Sequence, residues 1–243
     1  CYVLDMSERI RWKDRPAVIL CPGGAYRFTN DRESEPLACA FLAEGYHVFS
    51  LRYSTEKGIY PAALEQLART VRLIRQNAIV LAGFSAGGHL AAEYACKWGR
   101  PALSAAAEAE REELRPNALV LGYPVITAGA AAHEESIHNL LGAQDTPKMR
   151  RSVSLETQVS GCVPPVFLWH TATDEMVNAE NSLLFASALA REKIPYELHI
   201  YGSGVHGVSL GTRATVGEEK HVSHGCAGWF AQAARFLERV LPE

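Results

Sequence analysis

The sequence predicts an α/β protein with a mostly parallel central sheet and helices on both of its faces. Two observations carry the prediction. Short apolar runs alternate with amphipathic stretches from Ala17 to Val240, the pattern of strands joined by crossover helices. Within that alternation, Gly83-Phe84-Ser85-Ala86-Gly87 separates the apolar run Ala78–Ala82 from a helix-like stretch, His89–Lys97. A G-x-S-x-G sequence between strand and helix puts its serine on a strained, sharp turn. Such a turn requires small residues two before and two after the serine. With 243 residues, the chain fits one α/β domain, 1–243, better than two small ones.

In order, Ala17–Cys21 is the first strand, broken by Pro22-Gly23-Gly24. A helix follows at about Glu35–Glu44, with Gly45 as its C-terminal stop, and then a strand, His47–Arg52. Pro61 opens a long amphipathic helix carrying Leu64, Leu67, Val71, Leu73 and Ile74. Only Gln76-Asn77 separate its end near Arg75 from the strand Ala78–Ala82, a connection at the short end of the usual range. Ala102–Leu114, rich in Ala and Glu, is helical by propensity, and Ala118–Leu121 is a strand closed by Gly122-Tyr123-Pro124. Residues 127–163 are less regular, with a helical patch at Glu134–Leu141. Val166–Trp169 (strand), Ala179–Lys193 (helix), Tyr196–Tyr201 (strand) and Gly225–Val240 (amphipathic helix) complete the chain.

Composition narrows the function classes. A net charge of −3 with 21% charged residues leaves no electrostatic footprint for nucleic acid or an acidic membrane surface. No apolar run approaches the ~18 residues of a membrane span, and the N-terminus lacks the pattern of a signal peptide. The six cysteines have no C-x-x-C spacing. They read as free, buried thiols of a reducing compartment, so a cytoplasmic location is expected. Neither H-E-x-x-H nor a paired Cys/His cluster is present, and no metal or cofactor is expected. The oligomeric state, a homo-oligomer included, stays open.

A serine hydroxyl needs a base within hydrogen-bond reach, and the base needs an orienting carboxylate. In the α/β-hydrolase arrangement these follow in the order serine, acid, histidine, on loops after successive strands. After Ser85, the loop beyond Val166–Trp169 holds Asp174, and the glycine-rich loop beyond Tyr196–Tyr201 holds His206. Glu175 is the competing acid. His199 sits inside a strand, His221 and His224 suit capping or surface roles, His170 reads as structural, and His89 lies on the helix as packing beneath the site. The oxyanion donors are expected at the N–H of Ala86 and in Pro22-Gly23-Gly24-Ala25-Tyr26, with Gly24 and Ala25 donating and Gly23 shaping the turn. Tyr26 and Tyr123 are the candidates to stack on a substrate ring, with packing inside the fold as the alternative for each.

The motifs Pro22–Tyr26, Gly83–His89, Gly122–Ile126, Asn139-Leu140-Leu141-Gly142, Trp169–Ala172 and Gly204–Gly207 together resemble one group. It is the bacterial α/β-hydrolases known as acetyl-xylan esterase-like or "endo-xylanase B-like" proteins, relatives of hormone-sensitive-lipase-type esterases. The resemblance runs from about residue 16 to the end. It implies an eight-stranded, mostly parallel sheet and a triad of Ser85, Asp174 and His206. It also implies hydrolysis of a short acyl ester, acetyl on a carbohydrate alcohol, without a cofactor. Two departures stand out: Ala25 replaces the third glycine of the usual P-G-G-G-Y loop, and the Gln76-Asn77 connection is shorter than the family's. Residues 127–163 stand where many hydrolases carry a cap. Glycoside hydrolysis uses two carboxylates flanking the bond, and no such pair can be picked out. A serine peptidase of the same fold, and a non-catalytic hydrolase-fold binding protein, are the alternatives.

Overall fold

The computed structural model describes residues 15–75, 77–215, 219, 222–223 and 225–241. Its strands are β1 (Ala17–Cys21), β2 (His47–Ser50), β3 (Ile79–Phe84), β4 (Ala118–Gly122), β5 (Val166–Thr171) and β6 (Tyr196–Tyr201). They form one sheet in the order β2-β1-β3-β4-β5-β6, every neighbouring pair parallel. The resemblance implies eight strands; six lie among the described residues, and residues 1–14 fall outside them.

Alternate residues of each strand feed two cores. From β1, Ile19 and Cys21 pack with α2 (Ala62–Ile74) and α3 (Ala86–Lys97), through Leu64, Leu67, Val71 and Leu90. Val18 and Leu20 face the other way, onto α1 (Glu35–Ala43) and α8 (Trp229–Val240), through Leu37, Phe41, Trp229 and Phe236. A sheet covered on both faces needs strands that are apolar throughout, and β1, β3, β4 and β5 are buried along their whole lengths. The chain steps from β1 out to β2, then crosses back over β1 to β3. The loops after β1 and β3 therefore part at the switch point of the sheet, where open α/β sheets bind ligands.

Several boundaries differ from expectation for identifiable reasons. β3 runs on through Gly83 and Phe84, because Gly83 pairs with Cys21 and Leu121, and Phe84 with Gly122. The stretch expected as one helix at Ala102–Leu114 breaks in two. α4 (Pro101–Ala107) ends where Glu108 turns left-handed (φ 50°), and a 3₁₀ turn at Arg111–Leu114 then buries Leu114. α5 (Glu134–Leu141) is where it was expected. α6 (Pro147–Val153) was not anticipated, although the Oγ of Thr146 accepts the N–H of Met149 and Pro147 opens the helix, a standard start signal. α7 (Glu180–Arg191) matches its expected span within two residues at the C-terminal end. At the short connection before β3, the Arg75 guanidinium donates to the carbonyls of Asn77, Glu113 and Arg115 and to the Asn117 side chain; Gln76 lies outside the described residues. Cys21, Cys39, Cys96, Cys162 and Cys226 are free, but Cys39 is exposed rather than buried. Among the described residues, no helix is long and apolar enough to cross a membrane.

Candidate active site

Ser85 stands at the C-terminal end of β3 with φ 53° and ψ −124°, a conformation that persists only where its surroundings impose it. Three backbone hydrogen bonds do so. Its N–H donates to Gly122 (3.1 Å), and its carbonyl accepts from His89 (3.2 Å) and Val125 (3.0 Å). The flanking glycines are sterically required. A Cβ on Gly83 would collide with the Gly87 carbonyl, one on Gly87 with the Cys21 carbonyl, and one on Gly88 would lie 2.6 Å from the Pro124 Cβ.

From there the hydrogen bonds run outward. His206 Nε2 lies 2.8 Å from Ser85 Oγ, and His206 Nδ1 lies 2.7 Å from Asp174 Oδ2. A carboxylate only accepts, so Nδ1 carries the proton and Nε2 is left to accept from the serine hydroxyl. Asp174 Oδ1 takes the N–H groups of Met176 (3.0 Å) and Val177 (2.9 Å). Burial alone would raise the Asp174 pKa. The hydrogen bonds from His170, His206 and Val177, with the charge of His206, outweigh it and hold the carboxyl well below the usual carboxylate range. Glu175, the competing acid, is exposed to solvent.

His170 does more than pack. Its Nε2 lies 2.9 Å from the Val177 carbonyl and 3.3 Å from Asp174 Oδ2, and its Nδ1 lies 2.7 Å from Ser182 Oγ, so it ties the acid loop to α7. His89 is fully buried between the Tyr26 hydroxyl and the Val153 carbonyl, 2.9 Å from each. His199 lies on β6 beside Phe167 and Tyr201. His221 and His224 lie outside the described residues.

The loop after β1 makes three successive positive-φ turns, at Gly24 (129°), Ala25 (53°) and Tyr26 (57°). Gly24 and Ala25 line the same cavity as Ser85 and His206, a hollow of about 600 Å³. Ala86 is the first residue of α3, where a backbone N–H has no intrahelical partner. The N–H of Gly23 is not free for a substrate, because it donates to Glu33 Oε2 at 2.7 Å. A Cβ on Gly23 would lie 2.7 Å from the Ser85 Cβ, so this loop and the serine turn are in direct contact.

Of the two readings open for Tyr26 and Tyr123, the structure corrects the stacking one. Tyr26 and Tyr123 are 3% and 1% exposed, and neither lines the cavity that holds Ser85. The Tyr26 hydroxyl is spent on His89, and that of Tyr123 donates to Glu33 Oε1 (2.7 Å) while accepting from the N–H of Ser209 (3.1 Å). With their polar ends satisfied internally, both rings belong to the interior rather than to a sugar platform. Three residues not foreseen take their place. Glu33 is buried, its pKa raised by that burial and only partly restored by Tyr123 and Gly23; through these bonds it joins the glycine loop to the histidine loop. Asn139 of α5 donates to the Ala25 carbonyl at 2.9 Å. His133, just before α5, is half-buried on the cavity wall. Of these, only Asn139 left a trace in the sequence, inside the Asn139–Gly142 motif. Among the described residues, no group of three or more His, Cys, Asp or Glu is placed to hold a metal ion.

Comparisons with known proteins agree with this architecture. The model of the BD-FAE family matches residues 6–189. The chain is 35% identical over 209 residues to endo-1,4-beta-xylanase B of Butyrivibrio fibrisolvens, covering 81% of this chain and 33% of that protein. It is 28% identical over 211 residues to acetylxylan esterase of Xylanibacter ruminicola, covering 81% and 42%. The chain thus spans less than half the length of these curated relatives. The crystal structure of an acetyl ester-xyloside bifunctional hydrolase from Caldicellulosiruptor lactoaceticus superposes with a TM-score of 0.82 at 33% identity, covering 98% of this chain and 86% of that one.

Proposed function

The chain belongs to the BD-FAE family, and from that premise we propose that it is a serine carboxylic-ester hydrolase. One observation carries the reading: Ser85, His206 and Asp174 are joined by hydrogen bonds of 2.8 and 2.7 Å beside the loop holding Gly24 and Ala25, in a cavity open to a ligand. In the proposed reaction, Ser85 Oγ attacks the ester carbonyl carbon as its proton passes to His206 Nε2. Asp174 holds the ring in the tautomer that makes this possible. The N–H groups of Gly24, Ala25 and Ala86 stabilise the oxyanion. Collapse of the tetrahedral species expels the alcohol, which takes the proton from His206. Water, deprotonated by the same nitrogen, then releases the acid and regenerates Ser85.

Our preferred substrate is a short acyl ester, acetyl on a carbohydrate such as a xylo-oligosaccharide. The names of two relatives support it, as does a cavity in which the polar side chains of Arg27, Asn30, Arg32 and His133 stand beside the apolar Phe28, Met176 and Val205. The test is hydrolysis of p-nitrophenyl acetate, p-nitrophenyl octanoate and an acetylated xylo-oligosaccharide by the protein and its Ser85→Ala variant. Loss of the hydroxyl should reduce turnover by several orders of magnitude. Acetate release only from the aryl ester would keep the esterase and discard the sugar. Cleavage of peptide amides would favour a peptidase. No Ser85-dependent turnover, with no labelling by a fluorophosphonate, would favour a binding protein.

A further inference from the structure

The cavity around Ser85 measures about 600 Å³, the size that holds a drug-sized ligand and far more than an acetyl group fills. Most of it must therefore receive the alcohol of the ester. We propose that His133 binds that alcohol by hydrogen-bonding a free hydroxyl beside the ester, so that the enzyme selects partly acylated sugars over simple alcohols. The inference rests on the esterase reading above.

The observations converge on this side chain. His133 is held by a 2.8 Å hydrogen bond between its Nδ1 and the Oγ of Ser136, itself fully buried at the start of α5. The other ring nitrogen, Nε2, has no partner among the described residues, and the ring lines the same cavity as Ser85 and His206. Burial, reinforced by His206 and opposed by Glu135, Asp174 and Glu134, lowers the pKa of the imidazole and so favours its neutral form. A neutral imidazole both donates and accepts, which suits a hydroxyl. Of the two arginines on this cavity, Arg27 is paired with Glu135 at 3.3 Å, while Arg32 keeps a buried guanidinium nitrogen, Nη1, without a partner among the described residues, a further donor for an oxygen of the alcohol. Phe28 and Met176, 48% and 59% exposed on the same cavity, offer apolar surface to the C–H face of a sugar ring. A hydroxyl-bearing, partly apolar alcohol matches all of these features.

The experiment compares kcat/KM for monoacetylated xylobiose, fully acetylated xylobiose and p-nitrophenyl acetate, in the wild type, His133→Phe and His133→Gln. His133→Phe should lower the ratio of monoacetylated xylobiose to p-nitrophenyl acetate by roughly tenfold, the worth of one neutral hydrogen bond, mainly through KM. Fully acetylated xylobiose, which lacks the free hydroxyl, should show no such change in ratio. His133→Gln, whose amide N–H reaches near the position of Nε2, should recover part of the loss, and thermal melts would establish that each variant is folded. Equal losses on all three esters would mean that His133 acts through the triad and would overturn the inference. So would an unchanged ratio. A wild type that cleaves p-nitrophenyl acetate in a Ser85-dependent way but neither sugar ester would overturn this inference alone. Absence of any Ser85-dependent turnover would instead sink the esterase reading on which it stands.

Discussion

Replacing Glu33 should damage two loops at once. Its carboxylate accepts the Gly23 N–H through Oε2 and the Tyr123 hydroxyl through Oε1, each at 2.7 Å, with 1% of the residue exposed. Glu33→Ala leaves both donors buried and unpaired. At about 1–3 kcal/mol for each orphaned group, the loss should be about 2–6 kcal/mol, a large share of the ~5–15 kcal/mol that holds a domain together. Glu33→Gln keeps an oxygen for Gly23 but turns an NH₂ toward a tyrosine hydroxyl that already accepts from Ser209. It should fall between the two, since it also removes a buried charge. Turnover should fall as well, because Gly23 directly precedes the proposed oxyanion donors; a single lost donor costs roughly 10²–10³ in kcat. Urea titration and single-turnover hydrolysis of p-nitrophenyl acetate would measure both effects. If Glu33→Ala unfolds within about 1 kcal/mol of the wild type and retains its turnover, neither loop depends on this carboxylate and the reasoning fails.

Other predictions follow from the same geometry. Lys97 and Glu93 form a fully buried pair on α3, 2.5 Å apart, so Lys97→Met alone should cost about 3–5 kcal/mol; adding Glu93→Gln should restore much of it in a double-mutant cycle. Ala25→Gly should relieve a left-handed backbone (φ 53°) by about 1 kcal/mol and raise the melting temperature by roughly 2–4 °C; a lower melting temperature would contradict it. Asp174 and Glu33 should tilt the pH dependence of stability in opposite directions. The depressed pKa of Asp174 gives stability present above its unfolded value of about 3.9 and lost as pH falls through the folded pKa. The raised pKa of Glu33 gives stability present below about 4.3 and lost as pH rises through its folded value. Asp174→Asn should therefore flatten the acid limb of a melting-temperature profile, and Glu33→Gln should flatten the decline on the other side. Asp174→Asn should also lower kcat by about 10⁴ if the triad reading holds.

What could be read in the sequence was local, and what could not was distant. Each of Ser85, Asp174 and His206 follows a strand by a few residues, so the strand pattern alone announces the loop on which each sits, and the structure brings the three together. Gly83 and Gly87 were legible because a serine turn between strand and helix demands small residues two before and two after it, although what a Cβ on Gly87 would strike, the Cys21 carbonyl, lies on the neighbouring strand β1. Glu33 was not. It sits in Asn30-Asp31-Arg32-Glu33-Ser34-Glu35, which reads as a solvated loop, while its partner Tyr123 is 90 positions away. For Tyr26 and Tyr123 the sequence left stacking on a ligand and packing in the interior both open, because an aromatic beside glycines carries no sign of how deeply the chain will bury it. The break at Glu108 was hidden by good helix propensity on both sides. The end of α4 is closed by Glu108 donating to Ala105 and Ala109 to Ser104, and the 3₁₀ turn that follows buries Leu114, so packing overrides local preference.

The bond from Asn139 to the Ala25 carbonyl bears on how this scaffold could be re-engineered. Segment 127–163 carries His133 and Glu135, two of the side chains that shape the cavity, so exchanging it between relatives is the natural way to transplant a substrate preference onto an unchanged Ser–His–Asp frame. The exchange would not be modular. A donor segment without an amide at this position would release the peptide that follows the proposed oxyanion donors, and a chimera could lose rate while gaining the intended pocket. Any graft should therefore carry its Asn139 equivalent together with the loop it grips, as one inherited piece.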